Sequence, residues 1–176
     1  LTRRRRRSKL EKMSETNQAP EVSLAETPEV IFAEKRQAFF GIERGAWGWD
    51  ISKDLPDKTQ ITALLQAGLD SFKAKEANAV SSYSETDDFV WKQRYEWALA
   101  YANGESKNDT SFLKVLSQWK KDEREDTARQ IKNKPGILES DRERESFEMA
   151  KNNYSLVQQR INQVSERAQD LFRPIK

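Results

Sequence analysis

The chain has 176 residues, 34% of them charged and 36% hydrophobic, against roughly 25% and 45–50% in soluble domains, so there is apolar material for one modest core. Cysteine and histidine are both absent, which excludes disulfides, thiol nucleophiles, Cys/His zinc sites and the commonest general base near neutral pH. The net charge of +2 is unevenly spread: Leu1–Lys12 holds seven basic residues against Glu11 alone, a +6 head, while the rest carries 24 basic against 28 acidic groups, a −4 body.

The Arg-rich start has no apolar h-region behind it, and no run approaches the roughly 18 apolar residues that span a bilayer. Glu11, Glu15, Glu21 and Glu26 come too early for an acid-poor transit sequence. Leu1 in place of Met is compatible with processing, truncation or a TTG start codon, and Met13 offers an alternative start that lacks the basic head. Within that head Arg3, Arg4, Arg5, Arg6, Arg7 and Lys9 form a polyanion- or partner-binding candidate, able to neutralise phosphates without reading sequence. A solubilising tail is the equally weighted alternative. Residues 14–27 are polar and acidic and contain Pro20, as expected of an extended leader.

A first helix is predicted from Thr27 as N-cap, with Pro28 at N1 and Glu29 in the first turn, to Gly41. Its aromatic end, Phe39 and Phe40, should seed the core. The stretch GIERGAWGWDISKD interleaves Gly41, Gly45 and Gly48 with Trp47 and Trp49 and reads as an ordered loop, the tryptophans either lidding the core or anchoring an interface. A second helix follows, with Asp54 as cap, Pro56 and Asp57 in its first turn, and Ile61, Leu64, Leu65, Leu69 and Phe72 at helical spacing. Gly68 interrupts it and marks close helix packing. A polar loop spans 78–85.

The third helix should begin at Thr86 with Asp87 and Asp88 at the positive end of its dipole and end at Asn103-Gly104. Trp91, Tyr95, Ala98 and Ala102 form one stripe and Val90, Trp97 and Tyr101 an adjacent one, predicting burial over much of its circumference. Asn108 and Asp109 cap a fourth helix with the apolar stripe Phe112, Val115, Leu116 and Trp119. The apolar face then gives way to KKDEREDTARQIKNK, where Glu123 with Thr127 and Asp126 with Gln130 read as a solvated extension that Pro135-Gly136 stops. The last helix opens with a Ser140/Glu143 capping box. Phe147, Ala150, Tyr154, Val157, Ile161, Val164, Ala168 and Leu171 then recur in steps of three and four, a heptad seam with an amide-rich surround. It packs either on its own bundle or on a partner, and Phe172, Pro174 and Ile175 form an apolar tip.

The expected fold is therefore all-α: a bundle of about five helices, with an extended N-terminal arm over 1–27, an aromatic-rich helical core over 28–134, and a long C-terminal amphipathic helix over 135–176. Chemistry has little to stand on. GIERGAWG fits neither phosphate-loop pattern, the carboxylates lack calcium-loop spacing, and the Ser and Thr hydroxyls have no His to activate them. A non-enzyme without catalytic, cofactor or metal residues is expected, whose interface candidates are Trp47, Trp49, Tyr154, Val157, Ile161, Val164, Phe172 and Ile175.

Residues 38–74, AFFGIERGAWGWDISKDLPDKTQITALLQAGLDSFKA, present an aromatic-Gly pair, a Gly–Trp stretch and an amphipathic helix closing on Gly-Leu-x-x-Phe. With Tyr95-Glu96-Trp97 this order resembles the head-to-tail connector proteins of tailed bacteriophages. The resemblance implies a helical adaptor, or head-completion protein, that forms a homo-oligomeric ring beneath the portal in the virion neck, after assembly in the host cytoplasm, and passes DNA through its lumen. It implies portal and tail proteins as partners and no catalytic residues. The C-terminal helix and tip would then dock on a neighbouring ring or subunit, and the Arg head on an acidic portal surface or DNA. The competing readings are a nucleic-acid-binding accessory protein anchored by the Arg run and a helical subunit of another complex.

Overall fold

A computed structural model describes residues 26–41, 54–133 and 141–174. Among them every regular element is helical: α1 (Pro28–Phe40), α2 (Lys58–Ala77), α3 (Asp87–Ala102), α4 (Thr110–Asn133), α5 (Asp141–Asn152) and α6 (Tyr154–Phe172), with one 3-10 turn at Tyr83–Glu85.

Local chemistry sets most of the helix ends. The Thr27 hydroxyl accepts from the Val30 N–H, Pro28 occupies the first turn, and Gly41 closes α1 in the left-handed region at φ 74°, where a Cβ would be penalised. Thr86 caps α3 through the Phe89 N–H, and the helix gives way at Asn103 and Gly104. The Asn108 side chain accepts from the Thr110 N–H at 3.0 Å at the start of α4. The cap of α2 is Asp57, not the expected Asp54. Asp57 Oδ1 accepts from the Gln60 N–H at 2.8 Å, and Gln60 Oε1 accepts from the Asp57 N–H at 3.0 Å. Leu55 precedes a proline and is turned away from helical backbone, so the first residue free to cap comes after Pro56.

The expected single C-terminal helix is divided at Asn153. Hydrogen bonding runs on across the break, with Asn153 N–H donating to Met149 O and Val157 N–H to Asn153 O. The Ser140/Glu143 box and Pro135-Gly136 lie outside the described residues or side chains.

One core joins the helices. Phe40, Ile61, Leu64, Leu65, Leu69, Tyr95, Ala98, Tyr101, Phe112, Val115, Leu116, Trp119, Val157, Ile161, Val164 and Ala168 are buried in a single cluster. Helix α3 lies between α2 and α4, α1 covers α2, and α6 packs on α4 with its edge on α2. The adjacent α3 stripe departs from expectation: Tyr101 is buried, while Val90 and Trp97 are exposed. Two neighbours cover two sides of α3, and its third side faces outward.

Helices α2 and α3 approach closely at Gly68. A Cβ built on Gly68 would overlap Tyr95 Cε1, and Cδ1 and Cζ of the same ring would stand at only 2.8 and 2.9 Å. Tyr95 is walled in by Phe32, Phe72 and Trp119, so the ring has nowhere to retreat. Gly68→Ala should therefore destabilise the fold by about 1–3 kcal/mol in urea unfolding, even though Ala favours an exposed helix over Gly by about 1 kcal/mol; a stabilised variant would show that the ring can move.

Candidate functional site

The buried stripe of α4 continues in the same period beyond Trp119 into Glu123 and Thr127, both 1% exposed. This corrects the solvated extension expected from the charges. Glu123 does not face water because α1 supplies a cation: Arg36 Nε donates to Glu123 Oε1 at 2.8 Å, Nη1 to Asp122 Oδ2 at 3.3 Å and Nη2 to Asp126 Oδ2 at 3.3 Å. The fixed fork of a guanidinium suits three acceptors displayed on one helix face. Around this centre Gln118 Nε2 donates to Asp122 Oδ1 at 2.7 Å, the Thr127 hydroxyl donates to the Glu123 carbonyl at 2.7 Å, and Arg129 pairs with Asp126 at 3.3 Å.

Burial dominates the titration of the acids. Desolvation pushes Glu123 above its ordinary 4.5 and Asp122 above 3.8, more than the Arg36 charge pulls them down. For Arg36, burial pulls downward but is outweighed by the hydrogen bond and charge of Glu123 and by the charges of Asp122 and Asp126, so its value rises. The guanidinium stays protonated, and it is the acids that bear the cost of leaving water.

Arg36 and Asp122 form one wall of a cavity of ≈ 290 Å³ among α1 to α4, with Phe32, Phe72, Trp91 and Tyr95 as its aromatic lining. The protein's own cations occupy several of these rings: Arg36 lies 5.9 Å from the Phe32 centroid, Lys75 5.1 Å from Phe72 and Arg94 4.4 Å from Trp91. Trp91 and Gln118 separate this cavity from a shallower groove of ≈ 570 Å³ between α3 and α4, lined by Arg94, Leu113, Lys114, Ser117 and Lys121 without a carboxylate. The chemistry on offer is ion pairing and apolar contact. Among the described residues, no group of three or more acidic side chains is arranged to hold a metal ion.

The other sequence candidates are scattered. Val157, Ile161 and Val164 are buried in the chain's own core, so these three face no partner; this settles the seam between Val157 and Ala168 in favour of the chain's own bundle. Tyr154 is half-buried. Phe172 is no free tip: its ring packs 5.0 Å from Phe112 and its carbonyl accepts the Tyr101 hydroxyl at 2.7 Å. Arg3, Arg4, Arg5, Arg6, Arg7, Lys9, Trp47, Trp49 and Ile175 lie outside the described residues. The Arg36 centre was missed, although the period of the α4 stripe already placed Glu123 on the core face. Its partner stands 87 residues away, beyond the reach of local pattern.

The architecture is that of an all-helical bundle with a buried ionic clamp, and among the described residues no helix is long and apolar enough to cross a membrane. No family model matches the chain, and neither a curated protein nor a solved structure matches it.

Two measurements test the clamp. Arg36→Ala should cost about 3–5 kcal/mol in urea unfolding by stranding buried charge, whereas Arg36→Met combined with Glu123→Leu should be close to neutral; equal losses in both would show that the clamp acts through packing alone. A folded-state pKa above the unfolded 4.5 means that the folded chain binds this proton more tightly. The contribution of Glu123 is then greatest below pH 4.5 and is lost as pH rises through the folded-state value. The stability of the parent minus that of Glu123→Gln should fall as pH rises above 4.5, and a difference that grows with pH would contradict burial as the dominant cause.

Proposed function

We propose that the chain is a non-catalytic structural subunit of a tailed-phage virion, an adaptor protomer that forms a ring between portal and tail and lines the DNA passage in the neck. The observation that carries this reading is Trp97, 57% exposed on a helix whose opposite face is fully engaged in the core. Large apolar surfaces left in the open on a small folded chain mark contact sites for other proteins. The Tyr-Glu-Trp triplet of the connector resemblance is split by the fold: Tyr95 sits at the centre of the bundle and Trp97 points outward.

A nucleic-acid-binding accessory protein is the second reading, favoured by the groove in which Arg94, Lys114 and Lys121 meet without a carboxylate. Native mass spectrometry of the full chain, alone and with a portal ring, separates the two. A closed homo-oligomer, formed alone or on the portal, is the expected result. A strict monomer under both conditions that binds DNA with a steep inverse salt dependence would transfer the assignment to the accessory reading.

A further inference from the structure

We propose that the outer face of α3 and α4 receives the exposed face of α5 and the start of α6 from a second copy of this chain, a head-to-tail contact that rests on the ring reading above. Two pairs of uncovered apolar side chains motivate it. Val90 and Trp97 are 42% and 57% exposed on α3, and Met149 and Leu156 are 56% and 39% exposed on α5 and α6. Each pair is seven residues apart, two helical turns or about 10 Å, and the hydrogen bonds through Asn153 keep the second pair on a continuous helical path. Helices that present apolar side chains at the same two-turn spacing can pack ridge into groove. None of the described side chains of α5 is buried, and those of Arg144, Glu145, Glu148 and Met149 are exposed.

Charge selects the pairing. The α3–α4 groove offers Arg94, Lys114 and Lys121 beside Leu113, which is 37% exposed, while Glu145 and Glu148 lie four and one residues before Met149. The internal partners of these charges are loose: Lys121 stands 3.8 Å from Glu125 and Lys151 4.0 Å from Glu148, in exposed pairs of the kind that contributes little and exchanges easily. A nucleic acid would use the cations but leave Val90 and Leu113 uncovered, and would approach a body of net charge −4. A second copy satisfies both features. The two faces lie on different helices, so a contact that uses one face toward each neighbour is heterologous, and a closed series of such contacts is a ring, as the adaptor reading requires.

The test is reciprocal charge reversal in the full chain, read by native mass spectrometry and sedimentation. Lys114→Glu with Lys121→Glu makes both faces acidic, and Glu145→Lys with Glu148→Lys makes both basic. Each double variant should weaken self-association on the order of tenfold or more. Mixing the two should restore it in alternating assemblies, because acidic and basic faces then meet at every contact. All four side chains are exposed, so circular dichroism should match the parent, and Trp97→Ala serves as an uncharged second variant that should also weaken association. A parent monomeric at all concentrations, variants that assemble like the parent, or a mixture that fails to recover would each overturn the contact. Self-association that follows this pattern in a protein that ignores the portal would leave the contact standing and remove the adaptor reading.

Discussion

The fold depends on one close approach: the Tyr95 ring lies against the backbone of Gly68, where any larger residue would hold α2 and α3 apart. That approach brings α1, α2 and α4 to the same ring, through edge contact with Phe32, tilted contact with Phe72 and the indole of Trp119. A phenol buried this deeply needs a hydrogen-bond partner, and Trp119 Nε1 donates to its oxygen at 2.6 Å. Burial raises the Tyr95 pKa far above its ordinary value, opposed by the Trp119 hydrogen bond, so the hydroxyl stays neutral and the pair does not titrate in any physiological range.

If Tyr95 sets the distances between helices, Arg36 sets their alignment. A rotation of α1 about its own axis by one residue would leave Glu123 buried without a cation, a far larger penalty than loss of an apolar contact. The three carboxylates it meets sit at the first, second and fifth positions of Asp122–Asp126, so sliding α1 along α4 would also break the fork. The clamp adds little net stability against an apolar replacement, yet it rejects the neighbouring packings that a short 13-residue helix could otherwise adopt. Arg160 plays a related part on α6, where Nη2 donates to the Asp54 carbonyl at 3.2 Å and ties this helix to the segment entering α2.

What could be read from the sequence follows the range of the interaction responsible. The ends of α1 and α3 rest on contacts within four residues, Thr27 with Val30 and Thr86 with Phe89, and were legible. So were the apolar stripes of α2 and α4 and the special role of Gly68. Asp54 was misjudged because Asp54, Pro56 and Asp57 all carry start signals; the decision falls to Gln60, which only Asp57 can engage reciprocally. Glu123 was misjudged because a carboxylate in a charged run looks solvated unless its distant cation is known. Val90 and Trp97 were expected inside because hydrophobicity does not record how many neighbours a helix has. The break at Asn153 carries no glycine or proline, and its hydrogen bonds continue, so no local signal announces it.

The shortage of apolar residues then takes a definite meaning. Tyr95, Ala98 and Tyr101 close the inner side of α3, whereas Trp97, one of the two tryptophans of the same helix, is left outside with Val90. A chain with so little apolar material would gain stability by turning that indole inward, at 25 cal/mol per Å2 or roughly so for the area covered. It forgoes the gain because the positions one face away are committed to Gly68 and Trp119, and the helix cannot present both tryptophan and tyrosine to the same neighbour. The outward indole is thus a direct consequence of the core geometry. Any partner that covers it recovers burial that the subunit's own topology denies it.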